Sequence, residues 1–85
     1  MSEHEVGHVT HYFGHIHVAA VEITEGTLSI GDTIHIKGHT SDFTQNVESM
    51  QLDGADITQA KAGQDVGIIV AEHAREHDVV YKVIG

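Results

Sequence analysis

Cysteine, proline and tryptophan are all absent from these 85 residues. Without cysteine there is no disulfide framework, no thiolate metal site and no cysteine nucleophile, so the fold must rest on packing and backbone pairing. Cations are scarce: Lys37, Lys61, Arg75 and Lys82 stand against thirteen acids, for a formal net charge of −9. Duplex-binding proteins gain affinity by neutralising phosphates with clustered lysine and arginine, and no such cluster exists here, which argues against strong sequence-independent nucleic-acid binding. No apolar run approaches the roughly 18 residues of a membrane span, and the opening MSEHEVGHVT is acidic rather than basic. The expectation is a soluble cytoplasmic protein with no membrane partner. At this length it is a single domain over residues 1–85, large enough to bury roughly 60–65% of its unfolded surface.

Histidine and glycine are abundant, at nine each. The glycines fall at the ends of apolar alternations, where a strand needs a turn, rather than inside a helical period. Short strands follow: EVGHVTHYF (5–13), with an irregularity at Gly7; HIHVAAVEI (15–23), whose register shifts across Ala19 and Ala20; and DTIHIKGH (32–39). The last alternates Ile34 and Ile36 against His35, Lys37 and His39. FTQNVESMQL (43–52) precedes a DG turn at 53–54, DVGIIVAE (65–72) puts Val66, Ile68 and Val70 on one face, and DVVYKVI (78–84) ends the series. ADITQAKAG (55–63) reads as a packed loop. No repeat, linker or low-complexity tract divides the chain. Six or seven strands of this kind form a sandwich or a small closed barrel.

Between them lies the corner EGTLSIGDTIHI. Gly26 and Gly31 sit five residues apart, each where the chain must turn, and glycine reaches positive φ without steric cost. Leu28 and Ile30 are then expected to point inward, and Asp32 to accept hydrogen bonds from neighbouring backbone donors.

These residues carry a resemblance. Gly26, Leu28, Ile30, Gly31, Asp32, Ile34, Ile36 and Gly38, followed by VESMQ (47–51) and AKAGQDVGIIV (60–70), look like the second, β-barrel domain of translation factors of the elongation-factor-Tu class, over about residues 6–84. GDTI.I.G with the closing HDVVYKV also resembles the small barrel at the C-terminus of U32-type peptidases. The resemblance implies an all-β fold: a small closed six- or seven-stranded antiparallel Greek-key barrel. In the translation factors the GTPase is a separate domain, and this chain has no G-x-x-x-x-G-K-S/T loop, so no GTP binding is expected of it alone. The barrel of those factors helps hold the aminoacyl end of tRNA near positions matching Glu48 and Asp65, with an amide usual where Asp65 stands. From the residues themselves, the cations Lys37 and Arg75 complete the set expected to contact RNA or a partner.

Other constellations bear on chemistry. His15 and His17, two apart on one strand face, could share a metal ion with a third ligand such as His35. HEVGH (4–8) on a strand has the wrong geometry for a helical zinc motif. In EHAREHD (72–78), Arg75 lies among Glu72, Glu76 and Asp78, either bridging carboxylates at a corner or anchoring a phosphate or carboxylate ligand. HTSDF (39–43) lacks a nucleophile elbow, so no hydrolytic triad is expected. The function expected from sequence is thus a non-catalytic docking module with no cofactor, resembling the translation-factor barrel, whose partner is a protein or a ribosome- or RNA-associated component. The alternative is a histidine-rich metal-binding protein. A third reading is an accessory domain assembling with a separately encoded peptidase or GTPase.

Overall fold

The computed structural model describes residues 2–85, and among them it is all strand and turn, with no helix. Ten strands follow one another: β1 (Ser2–Phe13), β2 (Val18–Ile23), β3 (Thr27–Ser29), β4 (Thr33–Lys37), β5 (Asp42–Asn46), β6 (Met50–Leu52), β7 (Ala55–Ile57), β8 (Gln59–Lys61), β9 (Asp65–Ile69) and β10 (Val79–Ile84). Eight form one antiparallel sheet in the order β5-β4-β10-β1-β2-β9-β6-β7, and β3 pairs with β8 apart from it. The all-β antiparallel class is as expected. The closed six- or seven-stranded barrel is not what the ladder forms: the sheet ends on β5 and β7. β7 is only three residues long before the chain leaves at Thr58 to build β8 against β3.

Alternation explains the core. Ala19, Val21 and Ile23 on β2, Ile34 and Ile36 on β4, and Val66 and Ile68 on β9 all turn inward and are buried. Each large aliphatic side chain removed from water in this way contributes about 1.5–3 kcal/mol. β2 keeps strict period two, so the register shift expected at Ala19 and Ala20 is absent from it. The shift sits on the partner strand, between Val9 and His11 of β1, and leaves Thr10 as the extra residue. A second shift between Glu5 and Gly7 makes Val6 the extra residue against β10, and the Val6 carbonyl then accepts from Thr24 N at 2.7 Å. Two bulges within one long strand let β1 coil while pairing on both sides. Gly7 is required there, because a Cβ would stand 2.1 Å from the Glu22 carbonyl oxygen.

Several boundaries differ from the sequence reading. Residues 14–17 form the β1–β2 turn, so His15 and His17 are not on a strand face; Ile16, in that turn, is 63% exposed. Residues 43–52 are not one strand. Val47 leaves the sheet to exchange backbone hydrogen bonds with the corner, donating to Asp32 O and accepting from Gly31 N, both at 2.8 Å. That corner has Gly31 at φ +94° and Gly26 at φ +67°. Asp32 Oδ2 accepts from Ser29 N at 2.8 Å and lies 3.3 Å from Lys82 Nζ. Leu28 is fully buried, whereas Ile30 is 40% exposed, because β3 ends at Ser29 and Ile30 already belongs to the turn. The segment read as a packed loop, 55–63, supplies β7 and β8.

Candidate functional site

The β1–β2 turn and the long connection after β9 meet at one end of the sheet. Val70 N donates to His17 O at 2.8 Å, tying the two segments together, and His17 holds φ +56°, a region that histidine enters more readily than bulkier residues. The connection is fixed at both ends. Ala71 N donates to Gln45 Oε1 at 2.6 Å, Ala74 is fully buried, and the buried Asp78 accepts from Arg75 N through Oδ2 at 2.9 Å. Asp78 N in turn donates to Arg75 O at 3.1 Å, closing a turn in which His77 takes φ +76°. The corner is therefore held by Asp78 on backbone, not by an Arg75 guanidinium bridging carboxylates.

Between these segments opens a groove of about 820 Å³, lined by His11, Tyr12, Gly14 and His17 on one side and residues 71–76 on the other. Its floor is flat: the Tyr12 and His73 rings stack with centroids 4.3 Å apart and planes 26° from parallel. The Tyr12 hydroxyl lies 3.4 Å from His17 Nδ1, and His11 Nδ1 lies 3.4 Å from Glu76 Oε2. Glu76 is thus engaged by an imidazole, while the exposed Arg75 forms no ion pair among the described residues. Three imidazoles, one phenol and one guanidinium line the groove together with Glu72 and Glu76. Such a lining offers hydrogen-bond donors and a stacking surface, and no serine, threonine or cysteine.

The residues expected to act together are dispersed. Lys37 is exposed at the end of β4, Glu48 is exposed between β5 and β6, and Asp65 opens β9 with its Oδ2 3.4 Å from Thr10 Oγ1. No ion pair or side-chain hydrogen bond among the described residues joins any two of Lys37, Glu48, Asp65 and Arg75, and of the four only Arg75 lines the groove. His35 is not near His15 and His17. It sits against the opposite end of β1, between Glu3 and Asp42, with Nδ1 2.8 Å from Glu3 Oε2 and Nε2 2.5 Å from Asp42 Oδ1. The hydrogen bond to Asp42, and then those from Glu3, hold the imidazole above its ordinary pKa against partial desolvation, and His35 holds Asp42 below its own. Both ring nitrogens are taken by carboxylates, so this His–Asp pair has no place for a nucleophile. Among the described residues no group of three histidine, aspartate or glutamate side chains is arranged to hold a metal ion, and no serine hydroxyl bonds an imidazole nitrogen; Ser41 Oγ reaches only the His73 carbonyl, at 3.5 Å. Sequence reasoning missed Tyr12 and His73 as a pair: they are 61 positions apart, and EHAREHD (72–78) drew attention to Arg75 and its acids rather than to His73.

No protein-family model matches the chain. Over 78 residues, 91% of its length, it is 38% identical to an uncharacterized protease of Methanocaldococcus jannaschii and 37% identical to a collagenase of Porphyromonas gingivalis. It spans about a fifth of these curated relatives, 19% and 22% of their lengths. Among solved structures it is similar to the C-terminal domain of a Geobacillus thermoleovorans protein assigned to the U32 peptidases, with a TM-score of 0.88 at 21% identity over 95% of this chain and 93% of that one. The selenomethionine variant of that domain gives 0.84 at 22% identity, over 89% and 95%. These findings overturn the function read from the translation-factor resemblance. The relatives carry the names protease and collagenase, which point to an enzyme family where the sequence reading expected no enzyme, and nothing among them supports a ribosome- or RNA-directed role or a histidine-rich metal binder. Of the two resemblances seen in the sequence, the one to the peptidase barrel is supported: the chain has the fold of a U32 peptidase C-terminal domain.

Proposed function

We propose that this chain is an accessory β domain of a U32-type peptidase system, engaging polypeptide for a catalytic part supplied elsewhere. One observation carries the reading: the chain aligns with about a fifth of proteins named as proteases, and the matching fold is a C-terminal domain. The site geometry agrees with it. Peptide hydrolysis needs an activated nucleophile or a metal-bound water together with an oxyanion site. The groove of Tyr12, His73 and Arg75 contains no serine, threonine or cysteine, and the His35–Asp42 pair is closed by Glu3.

The test is hydrolysis by the purified chain, with labelled gelatin and quenched fluorescent peptides as substrates. The folded chain alone should cleave neither above the buffer rate. Sustained cleavage that follows the protein through purification would overturn the assignment of catalysis to another part.

A further inference from the structure

We propose that the groove between the β1–β2 turn and residues 71–76 is a carboxylate-binding subsite for an extended polypeptide, with Arg75 as its anchor. The proposal deepens the accessory-domain reading and rests on it only for the ligand being polypeptide. The chain carries −9, yet no acid occurs from residue 6 to residue 21, the stretch that supplies one wall of the groove. The facing wall contains Glu72 and Glu76, but Glu76 is turned to His11 at 3.4 Å, and the Arg75 guanidinium keeps its donors. A guanidinium presents a planar fork of N–H groups that matches a carboxylate in bidentate geometry. Glu76, the nearest acid in sequence, is turned to an imidazole and leaves that fork open to a ligand.

The second element is the floor. Tyr12 and His73 stack into one flat surface beside Arg75, suited to an aromatic or aliphatic side chain next to the bound carboxylate. Stacking and a single fork select a peptide rather than a free small anion, because the groove is too open to enclose one. Nucleic acid also stacks and carries anions, but each further phosphate would meet a molecule with thirteen acids and four lysines and arginines. Facing the groove are His11 and Tyr12 from β1, His17 from the turn, and Glu72, His73, Arg75 and Glu76 from the connection.

The experiment uses three dansyl peptides in fluorescence anisotropy with the intact chain: dansyl-Gly-Gly-Phe with a free carboxyl terminus, the same peptide as its amide, and dansyl-Gly-Asp-Phe amide. The first and third distinguish a terminal carboxylate from an acidic side chain as the source. Expected are binding of at least one carboxylate peptide, at least tenfold weaker binding of the Gly-Gly-Phe amide, and a tenfold loss on Arg75→Gln. His73→Ala, at an exposed position, should weaken binding severalfold without changing the melting temperature. Equal binding of amide and acid, no binding of any peptide, or an Arg75→Gln chain that binds as well as the parent would overturn the proposal. Displacement of bound peptide by a submicromolar single-stranded oligonucleotide would do the same. No peptidase enters these measurements, so their failure is separate from failure of the accessory-domain reading.

Discussion

The side chain of Gln45 reaches from edge strand β5 to Ile69 at the end of β9, donating from Nε2 to the Ile69 carbonyl at 2.9 Å while its Oε1 accepts from Ala71 N. A carboxamide can imitate a peptide group, and here it does so across the place where the sheet has no backbone ladder. The same side chain fixes Ala71, the first residue of the wall that lines the groove. Gln45→Ala should destabilise the fold by about 1 kcal/mol in urea unfolding. Gln45→Glu should cost a similar amount, since a carboxylate accepts but cannot donate to Ile69 O. Two variants indistinguishable from the parent would show that the sheet ends hold without this bridge.

Gly38 and Asp78 make the second test. A Cβ on Gly38 would stand 1.8 Å from Asp78 Oδ1, and Asp78 is a buried carboxylate holding the Arg75 turn. Gly38→Ala should therefore cost about 1–3 kcal/mol through forced displacement. Gly14→Ala is the control: the nearest atom is a Tyr12 ring carbon at 3.7 Å, an ordinary contact, so its effect should stay within about 0.5 kcal/mol. Equal melting temperatures for the two variants would contradict the packing described.

His35 gives a pH signature. Its folded pKa is raised above the ordinary 6.5, chiefly by Asp42 and then by Glu3, with Tyr81 as its aromatic neighbour at 6.0 Å. A raised pKa contributes stability that is fully present below pH 6.5 and is lost as pH rises through the folded value. Asp42, lowered by His35 and to a lesser extent by Lys37, contributes above its ordinary 3.8 and loses that contribution as pH falls through its folded value. The stability difference between the parent and His35→Gln should thus be greatest between about pH 4 and pH 6.5 and shrink toward pH 9. Denaturant midpoints across that range would reveal it; a difference that grows with pH would contradict the clamp.

Strand content and its faces were legible because period two is local: Ile34 and Ile36, or Val66 and Ile68, need only their neighbours to be read. Bulges were legible only in part. Gly7 marked one, but Thr10 carries no such mark, and two adjacent alanines drew the second shift onto the wrong strand. Apolar identity misled at Ile30, since a turn releases a side chain from the alternation. The groove could not be read, because His73 meets Tyr12 only through the long return of the chain past β9. The peptidase resemblance was visible in GDTI.I.G and HDVVYKV, beside a translation-factor resemblance resting on overlapping residues; the choice between them came from outside the chain.

The most direct test of the central claim is a chimera. A U32-type peptidase is trimmed of the C-terminal segment that matches this chain, and the 85 residues are fused in its place. The account predicts that trimming raises KM for long polypeptide substrates, that the fusion brings it back at least severalfold, and that turnover of short peptides changes little throughout. A fusion no better than the trimmed enzyme on long substrates, with the grafted domain shown to be folded by its own melting transition, would contradict it.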